Sequence, residues 1–129
     1  MVKKPSSKSP RKQRRKTQQS SMHEHRSMLN CRLDEFLQEE YGIRSLLVKK
    51  GDLVKIMRGQ FRDTEGKVTS VDHKNIRVHL DSATVTKSDG KEVNAPIHPS
   101  NLMLVKLELD DERKKLIERK LMKSGESEE

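Results

Sequence analysis

Lysine and arginine side chains supply most of the chemistry available to this sequence, and phosphate groups are their natural partners. The chain has 28 lysines and arginines against 20 acidic residues, which gives a formal net charge of +8 and a sequence pI near 9.7. This excess favours a polyanionic partner, either a nucleic acid or an anionic membrane surface. We expect neither a membrane span nor a secretion signal, because no apolar run approaches the roughly 18 residues that a span requires. The sequence therefore predicts a soluble, intracellular protein.

The histidines and the single cysteine do not form a recognisable metal site. His23 and His25 are close in sequence, but no second pair of ligands stands at a zinc-finger spacing from them or from His73, His79 and His98. Cys31 has no second cysteine to pair with, so we expect it to be a small structural residue. The sequence predicts neither a metal ion nor another cofactor.

No group of residues predicts an enzyme active site. Gly59 and Gly66 flank a loop, but the residues after them lack the Lys-Ser or Lys-Thr ending of a phosphate-binding loop. Asp110 and Asp111 stand together at the expected start of a helix, where capping explains them. No nucleophile has a recognisable base and orienting acid nearby. We therefore expect binding, and not catalysis, to be the activity.

Residues 1–29 predict a basic arm that suits a phosphate backbone. Between Lys3 and Lys16 the chain is rich in lysine and arginine and contains no acidic and no aliphatic residue. Such a segment cannot bury enough apolar surface to offset its chain entropy, so we expect it to be disordered when free. The pattern is typical of an arm that neutralises the phosphates of a nucleic acid, and also of a nuclear-import signal or a solubilising tail.

A short helix and its connection are predicted for residues 30–45. The change from basic to amphipathic sequence begins near Ser27, and Asn30 is a candidate N-cap. Gly42 supplies the left-handed position that often ends a helix. Between them, apolar residues recur at helical spacing and are expected to face the core: Leu33, Phe36, Leu37 and Tyr41.

Residues 46–108 predict a compact, small and aliphatic barrel of short strands, organised around the stretch 51–78. Val54 and Ile56 alternate with outward-facing residues, as in a half-buried strand, and Gly59 and Gly66 can turn the chain at both ends of a loop. Further strands are expected at residues 76–80, 83–86, 92–97 and 102–105, with turns at 88–91 and 98–101. Closing such a sheet on itself removes exposed edges.

The chain is expected to end in a helix over residues 109–123 and a disordered acidic tail over 124–129. Asp110 can cap this helix, acidic residues occupy its first turn and basic residues follow, which suits the helix dipole. Its apolar stripe is narrow and consists of Leu116, Ile117 and Leu121. The helix therefore either lies in solvent and packs on the barrel through these three residues, or binds a nucleic acid through its basic side chains.

The stretch 51–78 resembles the KOW motif of ribosomal proteins and certain transcription elongation factors. The match consists of Gly51-Asp52, alternating Val54 and Ile56, Arg58-Gly59, Gly66-Lys67-Val68, Val71 and Ile76 to Val78. The residues that flank the motif make the chain similar to one family. These flanks are Tyr41-Gly42-Ile43-Arg44-Ser45 before the motif, and Ile97 to Asn101 and Lys106 to Lys115 after it. That family is the universal large-subunit ribosomal protein numbered twenty-four in bacteria and twenty-six in eukaryotes, and its eukaryotic and archaeal form is the better match.

The resemblance implies a mainly-β fold, namely a small SH3-like barrel with a KOW hairpin and a short helix on each side. It implies a structural role in the large ribosomal subunit, binding to the 5′ region of large-subunit rRNA, a part in early assembly and a position near the polypeptide exit tunnel. Neighbouring ribosomal proteins and nascent-chain factors become candidate partners, and we expect no homo-oligomer. The location would be cytoplasmic ribosomes, with transit through the nucleus and nucleolus in a eukaryote.

Two departures from the family pattern are visible. Asp63 stands in the hairpin loop where the family often has glycine, although aspartate tolerates a left-handed backbone better than most residues. The carboxyl tail is short and acidic where the eukaryotic family tends to have a longer, basic one.

Candidate rRNA-binding residues come from the arm, the connections, the hairpin and the last helix. Phe61 could stack on an unpaired base from the loop tip, or fold back onto its own sheet as a core residue. The arm would neutralise phosphates, while the hairpin would be recognised largely by shape. The full set is Lys8, Arg11, Lys12, Arg14, Arg15, Lys16, Arg44, Lys49, Lys50, Arg58, Gln60, Phe61, Arg62, Lys67, His98, Lys114, Lys115 and Arg119.

Two other functions remain open at this point. The first is a KOW module of a transcription elongation factor, although the residues before the motif leave no room for a preceding mixed α/β domain. The second is an SH3-like protein-interaction module, which would need exposed aromatic residues, and only Tyr41 and Phe61 are candidates.

Overall fold

A sheet of seven strands forms the centre of the computed structural model, which describes residues 6–126. The strands are β1 (Asn30–Leu33), β2 (Ser45–Leu47), β3 (Leu53–Ile56), β4 (Glu65–Asp72), β5 (Arg77–Thr86), β6 (Glu92–Ile97) and β7 (Leu102–Lys106). The helices are α1 (Pro10–Gln19), α2 (Met22–Met28), α3 (Glu35–Tyr41) and α4 (Asp111–Glu126), with a 3-10 helix at Pro99–Asn101. This is the mainly-β, SH3-like fold that was expected. The parts of the predicted arm and acidic tail at residues 1–5 and 127–129 lie outside the described residues.

The strands follow the order β2-β1-β7-β3-β4-β5-β6 across the sheet. Neighbours are antiparallel except β1 and β7, which run parallel. The buried hydrophobic residues of the described chain are aliphatic side chains and Cys31, without an aromatic residue, so the small aliphatic core was predicted correctly. None of the helices within residues 6–126 combines the length and apolar character needed to cross a bilayer.

The KOW hairpin has the alternation that the sequence predicts. Val54 and Ile56 of β3 are buried, while Gly59 and Asp63 adopt φ angles of 101° and 65° in the loop. The prediction that Gly66 turns the chain is wrong, because Gly66 lies inside β4 opposite Val54. Its missing side chain leaves room for Ser82, whose Oγ would overlap a Cβ at this position.

Two predicted strands, at residues 76–80 and 83–86, form the single strand β5. A register shift between His79 and Thr84 marks the irregularity that looked like a break in the sequence. Ile76 was expected to begin the strand, but it lies in the preceding turn with a φ of 55°. The Asp72 carboxylate forms this turn by accepting the backbone N–H groups of Lys74 and Asn75.

The predicted helix from Asn30 is wrong in its first turn, because residues 30–33 form β1. Cys31 and Leu33 are both fully buried on one face of this strand, which pairs with β2 and β7. The helix starts only at Glu35, after Asp34, whose carboxylate accepts the Glu35 N–H at 2.9 Å. Phe36, expected in the core, is 71% exposed.

The prediction of a disordered arm is also wrong for residues 10–28, which form α1 and α2. Pro10 occupies the first turn of α1, and the arginine, lysine and glutamine residues that follow are good helix formers. The side chain of His25 then connects α1 to the sheet, as described below.

Helix α4 begins as predicted and ends later than predicted. The Asp110 carboxylate accepts the Arg113 N–H at 2.8 Å, and Ile117 is buried against the sheet. Residues 124–126 continue the helix, where a disordered tail was expected.

Candidate nucleic-acid interface

A groove of about 830 Å³ runs between the sheet and the first half of α4. Residues 47–50, on the connection between β2 and β3, form one side, and residues 69–73, from β4 and the turn after it, contribute part of the lining. Helix α4 supplies the other side through residues 112–119, and Arg26 of α2 also reaches the groove. The lining includes apolar residues, among them Val48, Val71 and Leu116.

Four of the predicted RNA-binding residues meet in this groove: Lys49, Lys50, Lys115 and Arg119. Lys115 and Arg119 are four residues apart on α4 and so share one face of the helix. Arg26 and His73 also line the groove, and sequence reasoning missed them. No local signal identifies these two, because only the tertiary fold brings α2 and the β4–β5 turn to this side of the sheet.

The charges of the groove are not all available to a ligand. Lys49 forms an ion pair with Asp110, and this hydrogen bond, together with the Arg113 N–H, holds the pKa of the Asp110 carboxyl below its ordinary value. Glu112 adds a second carboxylate to the lining. Lys50, Lys115, Arg119 and Arg26 are exposed and form no ion pair within the described part of the chain. They can bind phosphate oxygens.

Arg113 also lines the groove, but its guanidinium is occupied. Asp52 binds both of its terminal nitrogens, and the backbone carbonyls of Leu47 and Glu108 accept further hydrogen bonds at 2.9 and 3.1 Å. The residue is 4% exposed, so it positions α4 against the sheet and does not present a charge to solvent. Sequence reasoning missed this pair.

A second basic surface lies on α1. Lys12, Arg15 and Lys16 line a shallow depression of about 270 Å³ together with Glu24 of α2. Their spacing of three and four residues places them on one helical face. Arg11, Arg14 and the preceding Lys8 are exposed as well, and no residue of α1 is buried.

His25 joins α1 to the turn that borders the groove. Its Nε2 lies 2.8 Å from the Thr17 carbonyl oxygen of α1, and its Nδ1 lies 3.0 Å from the His73 carbonyl oxygen. The imidazole is 5% exposed. Through this side chain the basic helix and the groove are held next to each other, so the two surfaces can contact one continuous ligand.

The hairpin tip forms a separate surface that is nearly neutral. Arg58, Gln60 and Arg62 are exposed, and Arg62 Nε lies 3.8 Å from Asp63 Oδ2. Phe61 is half-buried and packs against the core cluster. This is the core position that was the alternative to stacking on a base. Its loop folds back because backbone hydrogen bonds tie residues 59–64 into tight turns.

The remaining candidates lie outside the groove. Arg44 and Lys114 are exposed at other positions, and Lys67 lines a cleft shared with Glu65, Asp81 and Glu108. His98 caps the 3-10 helix, since its Nδ1 accepts the Ser100 N–H at 3.2 Å. Partial burial and the nearby Arg77 charge lower the His98 pKa, so its imidazole is neutral at neutral pH and is a weak phosphate ligand.

Comparison with known proteins identifies the family of this chain. Residues 7–120 match the family of ribosomal proteins described as L26 in eukaryotes and as the corresponding protein twenty-four in archaea. The Large ribosomal subunit protein uL24 of Methanosphaera stadtmanae is 49% identical over 108 residues, which are 84% of this chain and 92% of that protein. Proteins of the same name from Methanosarcina barkeri and Korarchaeum cryptofilum are 47% and 45% identical, over 84% and 91% of this chain and 93% and 90% of theirs.

The fold and the family match together define a KOW-type ribosomal protein. The chain belongs to the ribosomal protein family that is numbered twenty-six in eukaryotes and twenty-four in archaea. This family is structural, so the prediction that the protein is not an enzyme is confirmed.

Proposed function

We propose that the protein is a structural constituent of the large ribosomal subunit and binds large-subunit rRNA. The observation that carries the proposal is the family match over residues 7–120, which includes both basic surfaces as well as the KOW hairpin. Three archaeal relatives with 45–49% identity carry the name of a large-subunit protein.

The charge arrangement supports RNA as the ligand. Lys50, Lys115 and Arg119 line the same groove as the apolar side chains of Val71 and Leu116, a combination that suits a phosphate backbone with an unstacked base. Helix α1 extends the positive surface away from the groove. The groove and α1 together supply the electrostatic affinity, while the nearly neutral hairpin tip contributes through its shape.

The finer parts of the proposal come from the family resemblance. The RNA partner is the 5′ region of the large-subunit rRNA, binding helps early assembly, and the protein stays near the polypeptide exit tunnel beside neighbouring ribosomal proteins. Nascent-chain factors are further candidate partners at that place. The location is cytoplasmic ribosomes, and transit through the nucleolus applies only if the source is eukaryotic.

Sedimentation of a cell lysate on a sucrose gradient tests the main proposal. The tagged full-length protein should travel with large subunits and stay with them in moderate salt. A protein found only at the top of the gradient would contradict the proposal, and one that travels with RNA polymerase would support the elongation-factor alternative.

Binding to rRNA fragments tests the finer proposal. Fragments from the 5′ region and from the 3′ region of the large-subunit rRNA are compared at the same salt concentration, because electrostatic affinity depends on salt. The 5′ fragment should bind more tightly, and equal binding of both would contradict the assigned region.

A further inference from the structure

The outward face of α3 combines an exposed aromatic ring with acidic side chains. Phe36 is 71% exposed, more than any other large hydrophobic residue in the described part of the chain. Glu39 and Glu40 follow it by three and four residues, so the three side chains share one helical face. Leu37 and Tyr41 occupy the opposite face and pack in or against the core.

This face has the opposite charge from the surfaces assigned to RNA. Helix α3 carries Glu35, Glu39 and Glu40 and no basic residue, in a chain with a net charge of +8. None of these carboxylates takes part in an ion pair with another residue of the range 6–126. Such a face repels a phosphate backbone, so rRNA is an unsuitable occupant.

The α3 face is also separate from the basic groove, because no residue of α3 is among those that line the groove. The end of α3 meets the second half of α4, because a Cβ at Gly42 would lie 2.9 Å from Leu121 Cδ2. The groove, in contrast, uses α4 only as far as Arg119. The molecule can therefore bind RNA at the groove and a different partner at α3.

We propose that Phe36, Glu39 and Glu40 form a docking surface for an arginine-rich segment of another protein. A guanidinium group suits both parts of the surface, since it can stack on the Phe36 ring and donate hydrogen bonds to the two carboxylates. An occupant would also remove the exposed ring from water. The expectation that this partner resides in the large subunit rests on the proposed function.

Photo-cross-linking in assembled particles tests the docking surface. Phe36 is replaced by p-benzoylphenylalanine in the full-length chain, and Gln60 at the hairpin tip is replaced in a second variant as a control. Large subunits are isolated after irradiation, and cross-linked peptides and nucleotides are identified by mass spectrometry. The probe at position 36 should label an arginine-rich peptide of another protein, whereas the probe at position 60 should label RNA.

A charge-reversal pair tests the role of the carboxylates. The substitutions Glu39→Lys and Glu40→Lys, combined with the probe at position 36, should reduce the protein cross-link severalfold. The control pair Asp89→Lys and Glu92→Lys changes the net charge equally at exposed positions in the turn between β5 and β6 and at the start of β6, and should leave the protein cross-link unchanged. An equal reduction by both pairs would overturn the proposal.

Other outcomes are equally decisive. Labelling of RNA, of a second copy of this chain or of a peptide without arginine from position 36 would overturn the docking surface. The absence of any cross-link from position 36, while the control probe labels RNA, would also overturn the docking surface. That result would leave the proposed ribosomal function intact. Failure of both variants and the unmodified chain to enter large subunits would overturn the proposed function together with this inference.

Discussion

The guanidinium of Arg113 binds the carboxylate of Asp52 at 2.5 Å from Nη1 to Oδ1 and at 2.7 Å from Nη2 to Oδ2. The two side chains are 4% and 0% exposed. The same carboxylate accepts the backbone N–H groups of Lys49 and Glu108. This network fixes α4 to the residues before β3, so it connects the two sides of the basic groove.

Removing one member of this pair should strongly destabilise the fold. In an Arg113→Met variant the Asp52 charge stays buried without its partner, which costs about 3–5 kcal/mol in comparable sites. Urea denaturation followed by circular dichroism measures the loss. The control is Lys49→Met, which removes an ion pair that is half exposed and should cost at most about 1 kcal/mol. Similar losses in both variants would show that the buried pair has no special role.

Alanine at position 66 should destabilise the hairpin by crowding β5. A Cβ there would overlap Ser82 Oγ and would lie 3.1 Å from Ser82 Cβ and 3.0 Å from Asp81 Oδ1. The Asp81 oxygen cannot move freely because it accepts the Lys67 N–H at 2.9 Å. Overpacking of this kind costs roughly 1–3 kcal/mol in the free energy of unfolding.

A double-mutant cycle checks the physical cause of that loss. Ser82→Gly, combined with Gly66→Ala, should recover part of the stability because the two positions are in direct contact. Gly125→Ala is the control, since nothing lies within 4 Å of a Cβ there and alanine favours the helix by roughly 0.5–1 kcal/mol. Purely additive effects at positions 66 and 82 would contradict the close approach.

Sequence reasoning was most successful where the signal is local. The alternation of Val54 and Ile56, the cap at Asp110 and the left-handed Asp63 each depend on a few neighbouring residues, and the structure contains all of them. The strand β1 could not be found in this way. Leu33 and Leu37 are four residues apart, which also fits a helix, and β1 is specified by pairing with β7 much later in the chain.

The missed parts of the candidate site depend on long-range contacts. Asp52 and Arg113 are 61 residues apart, and His25 and His73 are 48 residues apart. In the sequence Asp52 is one acid in a motif, and Arg113 is one of several basic residues in a helix. Burial distinguishes them from their neighbours, and burial is set by the tertiary fold.

Phe61 should contribute to stability more than to RNA binding. Its side chain is half-buried against the core, so a Phe61→Ala variant should lose about 1–2 kcal/mol, less than the cost for a fully buried phenylalanine. Its affinity for the 5′ rRNA fragment should stay unchanged under conditions where both proteins are folded. Thermal denaturation and a binding titration measure the two quantities. A loss of affinity with unchanged stability would support base stacking instead.

The Cys31 thiol should be unreactive in the folded protein. Burial, with a smaller contribution from the Asp52 carboxylate, raises its pKa from 9.0 to about 12, while the Arg113 charge acts in the opposite direction. Because the thiolate is the reactive form, iodoacetamide should label the protein at about pH 8 in urea and not in native buffer. The unfolded thiol ionises at a lower pH than the folded one, so this group reduces stability only above about pH 9. Rapid labelling of the native protein would contradict the burial of Cys31.

Salt dependence should separate the RNA-binding surfaces from other basic residues. The logarithm of the binding constant falls linearly with the logarithm of the salt concentration, with a slope of roughly 0.7–0.9 for each phosphate contact. We compare two double variants, Arg14→Ala with Arg15→Ala on α1, and Lys115→Ala with Arg119→Ala in the groove. Each should reduce the slope by about 1.5 if both residues contact phosphates.

The control for this measurement removes the same charge at a distant position. Lys87 and Lys91 are exposed in the turn between β5 and β6, and replacing both with alanine should leave the slope unchanged. Lys49→Ala should also have little effect, because this lysine is paired with Asp110. An unchanged slope in the Arg14 and Arg15 variant, together with a reduced slope in the groove variant, would remove α1 from the RNA interface and leave import or solubility as its role. Equal reductions in the control and both test variants would show that only the net charge matters.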